Sequence, residues 1–200
     1  PTERPPTLAV NMLADPDLAK TYPPSNGSPT FRAAAANWLR GIVDVDLAAD
    51  QFRATVGSKE FVASLPTYLK LRNPAKNTIL YPGISYPTYK VGAMLAGCRA
   101  VPVPILDDGR MNLAAISDQD IEDALMIWTN SPSNPTGRLD DLSGVVAWGR
   151  NHEILVVSDE CYIEFLWSAR PSSALQSGAT GVISVHSLSK RSNFAGLRSG

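Results

Sequence analysis

The sequence predicts an α/β fold: a doubly wound, mostly parallel sheet with helices on both faces, three layers in all. Three observations carry this. The strand candidates are continuously apolar, as in Ile154-Leu155-Val156-Val157, which is the pattern of a strand covered on both sides. Segments of helical periodicity separate them, as βαβ units require. The residues that carry chemistry follow the strand candidates, where ligands of such sheets bind.

Taken in order, Phe31–Leu39 is Ala-rich and reads as helix. Gln51–Val56 reads as a short strand running into Gly57. Phe61–Leu71 places Phe61, Leu65, Tyr68, Leu69 and Arg72 at helical intervals, with a kink expected at Pro66. Thr78–Tyr81 is a strand stopped by Pro82-Gly83, and Thr88–Ala96 is a helix with Gly97 as its stop. Arg99–Val103 is a strand, Asp107-Asp108-Gly109 a turn, and Met111–Asp123 helical material. Leu125–Thr129, Ile154–Ser158 and Val182–His186 are strands, and Leu139–Asn151 is a helix. No repeat of solenoid period is present. The Pro-rich head, residues 1–30, reads as an irregular lead-in, and 31–200 as the main domain.

Two hundred residues, 44% apolar and 18% charged, suit a soluble globular domain with ample core. A formal net charge of −1 gives no basic excess for nucleic acid or an anionic membrane surface. The longest apolar stretches fall far short of the ~20 residues that span a bilayer, and no charged-then-apolar leader opens the chain. Two cysteines, Cys98 and Cys161, are too few for a disulfide scaffold and point to a reducing, cytoplasmic setting. The chain opens at Pro1 without a Met and stops at Gly200 in a Gly/Ser-rich stretch, so trimming at both ends is expected.

Four groups follow strand candidates. Gly57-Ser-Lys-Glu60 precedes a helix, whose first N–H groups make an anion site, although a strand–Gly–helix turn is also common without a ligand. Asn130-Ser-Pro-Ser-Asn134-Pro-Thr-Gly137 could be a tight turn, but two Asn and two Pro are more than a turn needs. Ser158-Asp-Glu-Cys-Tyr162 puts a carboxylate at a buried strand end, which is costly unless it is paired or caps the next helix. His186-Ser-Leu-Ser-Lys190, with Gly196-Leu-Arg198, surrounds an amine with Ser187, Ser189 and Arg198 as an anion-binding set. His186 and His152 read as packed histidines, Cys161 as a small buried filler, Glu160 as serving the helix start after Asp159, and the four tryptophans as core or interface. Two histidines without a Cys or Asp cluster make a metal site unexpected.

Together the groups resemble one family. Asn-Pro-Thr-Gly, then Asp-x-x-Tyr, then Ser-x-Ser-Lys with a following Arg, spaced 25, 31 and 8 residues apart from Asn134 to Arg198, is similar to the pattern of fold-type I pyridoxal-phosphate (PLP) aminotransferases, class I/II. The likeness covers about Tyr22 to Gly200 and implies the large domain of that fold. By this resemblance Lys190 is the catalytic amine that holds PLP covalently, and Asp159 pairs with the pyridinium nitrogen. Tyr162 and Asn134 bond the ring's 3′ oxygen, and Tyr86 stacks on the ring. Ser58, Lys59, Ser187, Ser189 and Arg198 hold the phosphate. Tyr22 reaches the phosphate of a neighbouring subunit, implying a homodimer. Asn134 is also a partial substrate contact. The family's substrate-carboxylate arginine lies in a C-terminal part that this chain lacks, as it lacks most of the small domain.

Within the family, Gly57-Ser-Lys-Glu-Phe61, Tyr86-Pro-Thr-Tyr89 and Ser158-Asp-Glu-Cys-Tyr162 look most like N-succinyldiaminopimelate aminotransferases of lysine biosynthesis. That likeness implies amino transfer with glutamate and 2-oxoglutarate as the amino pair. Aminotransferases for aspartate, alanine or aromatic substrates share these motifs, as do PLP-dependent C–S β-lyases. Regulators can also use this fold for binding alone, but no basic DNA-reading segment is seen.

Overall fold

The computed structural model describes residues 22–200. Residues 1–21, most of the expected lead-in, lie outside the described residues. Five strands form one parallel sheet: β1 (Thr78–Pro82), β2 (Arg99–Val103), β3 (Ala124–Asn130), β4 (Leu155–Asp159) and β5 (Val182–Val185), in the order β2-β1-β3-β4-β5. The helices are α1 (Pro29–Val43), α2 (Ser58–Arg72), α3 (Thr88–Leu95), α4 (Asp118–Asp123), α5 (Leu142–Asn151) and the single turn α6 (Leu188–Arg191). The chain winds outward from β1 to β2, then returns to lay β3, β4 and β5 on the other side. That reversal opens a crevice beyond the carboxyl ends of β1 and β3.

Both faces of the sheet are covered, as the apolar runs require. Ile79, Met126, Trp128 and Val157 point to one side, under α2 and α3, where they join Val62, Leu65, Tyr89 and Ala93. Leu80, Ile127 and Val156 point to the other, against Leu142, Val145 and Val146 of α5. Each large side chain buried this way contributes about 1.5–3 kcal/mol. Gly92 lets α3 lie close on α2: a Cβ there would stand 3.0 Å from the carbonyl oxygens of Val62 and Ala63. The Val62 carbonyl is the one whose partner four residues on is Pro66, which has no N–H to offer. The helix runs on through Pro66 to Arg72.

The structure departs from the sequence reading in a few places. Helix α1 is longer than Phe31–Leu39, because the Ser28 hydroxyl accepts from Phe31 N at 3.1 Å and Pro29 opens the first turn. Gln51–Val56 is not a strand. Ala49–Gln51 is a 3-10 turn, and the extended residues after it bond to Asn26 O and Gly200 O rather than to the sheet. The helical material expected in Met111–Asp123 is present, as a 3-10 turn and the six-residue α4. Of the tryptophans read as core or interface, Trp128 is wholly buried in the core and Trp167 is exposed in the single chain.

Candidate active site

The register of the sheet sets the site. Asn130 stands opposite Asp159, and Asp159 opposite Val185, so three strand ends finish at one level. The Asn130 side chain ties β3 to the end of β4 and to the turn that follows. Its Nδ2 donates to Asp159 O at 2.8 Å, and its Oδ1 accepts from Asn134 N at 2.7 Å. The following turn closes on itself through Gly137 N to Ser133 O at 2.7 Å and Ser133 N to Arg138 O at 2.9 Å. Asn134 is thereby held over the end of β4.

A cavity of about 230 Å³ opens at this level. Asp159, Tyr162, Asn134 and Tyr86 line it, as do Ser187, the cap of α6, and Ser189 and Lys190 within α6. Ser58, Lys59 and Arg198 also line it. Ten of the eleven residues singled out from the sequence therefore converge on one space. Tyr22 is the exception: it is 99% exposed and lies outside the cavity.

Each element end is shaped for its role. Asp159 Oδ1 accepts from Cys161 N at 3.2 Å, and Oδ2 accepts from the Tyr89 hydroxyl at 2.8 Å. The Ser187 hydroxyl caps α6 by accepting from Ser189 N at 3.1 Å, and it donates to Ser199 O at 3.4 Å. Residues 198–200 come back to the start of α2 through Thr55 N to Gly200 O at 2.8 Å and the reverse bond from Gly200 N at 3.3 Å. That puts the Arg198 guanidinium against Gly57, where φ is +81°. That φ favours glycine, and a Cβ there would lie 2.7 Å from Arg198 Cζ and push the guanidinium aside. The N–H groups of the first turn of α2 thus sit beside a guanidinium, a ready anion site.

Burial tunes the titrating groups around Asp159. It pushes the Tyr162 phenol upward, reinforced by the Cys161 and Asp159 charges, so the hydroxyl stays a proton donor. It pushes the Tyr89 phenol well upward, with Asp159 adding to the effect. It also raises the Cys161 thiol, which keeps that sulfur from acting as a nucleophile.

The sequence assigns Tyr89 and Asn130 no role, and Glu160 the helix start after Asp159. Nothing in residue order says that Tyr89 meets Asp159. Asn130 could have been found from its place at the last position of a strand. Glu160 does not serve a helix start: it is fully buried, its Oε1 accepts from Ala174 N at 2.9 Å, and its Oε2 lies 3.5 Å from His186 Nε2. His186 is the packed histidine expected, with Nε2 2.8 Å from Ser184 Oγ and its ring edge-on to Trp38.

The donor set fits pyridoxal phosphate. There is a carboxylate at the end of β4, an amine on α6, and a guanidinium beside the first N–H groups of α2 as an anion cradle. The combination defines a parallel α/β domain with an anion cradle and a lysine at one set of strand ends. The chain belongs to the class I and II aminotransferases, whose family profile matches residues 5–200. It is 40% identical to the 4-dedimethylamino-4-oxo-anhydrotetracycline transaminase OxyQ of Streptomyces rimosus, over the whole chain and 55% of that protein. It is 34% identical to LL-diaminopimelate aminotransferase of Aquifex aeolicus, over the whole chain and 53% of that protein. The crystal structure of a probable N-succinyldiaminopimelate aminotransferase of Thermus thermophilus superposes with a TM-score of 0.85 at 28% identity, covering the whole chain and 56% of that structure. The chain spans about half the length of the curated relatives it matches. Among the described residues no helix is long and apolar enough to cross a membrane.

Proposed function

We propose that residues 31–200 form the cofactor-binding large domain of a PLP-dependent aminotransferase that passes an amino group between an amino acid and a 2-oxo acid. The observation that carries this is the convergence of Lys190, Asp159, Tyr162, Asn134 and Arg198 on one cavity. When bound, the cofactor supplies a protonated pyridine ring that takes up the electrons of a breaking substrate Cα–H bond.

The residues of the chain do the rest. Lys190 would hold the cofactor covalently, and its amine, when free, would serve as the base that takes a proton from the substrate Cα and gives one back. The Asp159 carboxylate accepts from the ring N–H and keeps that nitrogen protonated. Tyr162, kept protonated by burial, donates to the ring's 3′ oxygen together with the Asn134 amide. Tyr86 covers a ring face. The backbone N–H groups of Ser58 and Lys59, the hydroxyls of Ser187 and Ser189, and the Arg198 guanidinium anchor the phosphate. Asn134 also touches the substrate. Tyr22, fully exposed here, completes the phosphate site of a second copy in a homodimer, in a reducing, cytoplasmic setting.

For substrate, the relatives favour a diaminopimelate-type amino acid, either LL-diaminopimelate or its N-succinyl form, with glutamate and 2-oxoglutarate as the amino pair. A second reading, an oxo-anhydrotetracycline acceptor, is favoured by the 40% identity to OxyQ. The test is direct. The protein loaded with PLP should show a visible band that borohydride bleaches, and peptide mapping should place the reduced adduct on Lys190. Turnover of a panel holding both diaminopimelates, aspartate, alanine, phenylalanine and cystine should then give amino transfer to 2-oxoglutarate from a diaminopimelate. A label away from Lys190 overturns the cofactor assignment, and pyruvate release from cystine without amino transfer would make the protein a β-lyase.

A further inference from the structure

We propose that Tyr89 is the positioning residue for Asp159, fixing the rotation of its carboxylate so that the free lone pairs face the cavity. Tyr89 stands 70 residues before Asp159 in sequence and comes to it on the first turn of α3. Its ring is wholly buried and stacks on Trp128 with centroids 5.0 Å apart and planes 24° from parallel. Its other flank meets Tyr86 edge-to-face at 6.0 Å. A ring held on two sides cannot swing, so its hydroxyl is aimed.

That hydroxyl donates to Asp159 Oδ2 at 2.8 Å, while the backbone N–H of Cys161 takes Oδ1 at 3.2 Å. Two donors at fixed places, one on each oxygen, define the plane of the carboxylate. Without the phenol, Oδ2 loses this donor and the plane of the carboxylate is less firmly fixed. Burial keeps the Tyr89 phenol protonated, so it serves only as the donor here. The groups around Asp159 come from every packed element: Tyr89 from α3, Cys161 and Tyr162 from the turn after β4, His186 from the end of β5, and Lys190 across the cavity. Of these, Tyr89 donates to Oδ2. Its ring also touches Tyr86, so one side chain links the residue assigned to the cofactor's nitrogen with the residue assigned to its face. This inference rests on that functional reading for its consequence, but not for its geometry.

The experiment has two arms on the intact protein. Tyr89→Phe removes the hydroxyl and keeps the stack on Trp128. In the cofactor-free protein, crystal structures and 13C relaxation of labelled aspartate should find one carboxylate orientation at Asp159 in the wild type and at least two in Tyr89→Phe. In protein loaded with PLP labelled with 15N in the ring, the nitrogen signal should move toward its unprotonated position. The first half-reaction should slow at least tenfold, and the denaturation midpoint should stay unchanged. Should phenylalanine leave a gap that prevents folding, 4-fluorophenylalanine fills it without donating and should give the same result. 4-Aminophenylalanine, a donor, should restore the single orientation. An Asp159 that keeps one orientation in both non-donating variants overturns the proposal. A failed functional reading shows itself separately, as absence of covalent cofactor on Lys190 in the wild type.

Discussion

Gly57 and Arg198 stand 141 residues apart in the sequence, yet a Cβ on Gly57 would lie 2.7 Å from Arg198 Cζ. The guanidinium occupies the space that any other residue would need, and the turn at φ +81° excludes side chains as well. Both constraints act at the mouth of α2, where the phosphate is assigned.

Gly57→Ala should therefore cost about 1–3 kcal/mol of stability, the usual range for a strained non-glycine backbone. It should also displace Arg198 and weaken retention of PLP. Urea denaturation and equilibrium dialysis read the two effects. Unchanged PLP retention would show that Arg198 is not a phosphate ligand.

Replacing Asp159 with Ala removes the charge that keeps the ring nitrogen protonated. PLP should remain bound through its phosphate, while the first half-reaction slows by several orders of magnitude in stopped-flow absorbance. A loss under about tenfold, roughly 1.4 kcal/mol, would mean that Asp159 is not the ring partner.

His186 and Glu160 make stability depend on pH. Burial lowers the His186 imidazole to about 4, with Arg191 adding to the effect against the opposing Asp159 and Glu164. The unfolded chain therefore takes up a proton below about 6.5 that the fold refuses. Stability from this group is complete above that value and drains away as pH falls toward 4. Burial pushes the neighbouring Glu160 carboxyl the other way, so its contribution is complete at low pH and is lost as pH rises through its raised value. Chemical denaturation at several pH values should show that His186→Gln lacks the wild type's loss between about 6.5 and 4. Parallel curves for the two proteins would place a protonated His186 in the fold.

Tyr22 is 99% exposed in the single chain, which suits a side chain that works in another subunit. Tyr22→Asp puts a negative charge beside the phosphate, and Lys190→Ala removes the amine, so each homodimer should be inactive. Mixed under subunit exchange, the heterodimers should regain one site, built from Lys190 of one chain and Tyr22 of the other. No activity despite proven exchange would show that each chain completes its own site.

Much of this architecture could be read from residue order alone. The β4 strand declared itself by its unbroken apolar run, α3 by its period and its Gly97 stop, and the cavity residues by four short motifs placed after strand candidates. These are local signals, because the physics behind them is local: pleat and helix periods, turn residues and first-turn N–H groups. Tertiary structure decided what depends on strand order and register. Asn130 meets Asp159 because β3 and β4 are neighbours in register, and Tyr89 reaches Asp159 because α3 packs under both. Glu160 faces His186 only once β5 is laid beside β4. Gln51–Val56, β-prone by composition, found its partners in Asn26 and Gly200 instead of the sheet. A hydrogen bond between residues far apart in sequence is settled by the packing of whole elements, and no short stretch of chain carries that information.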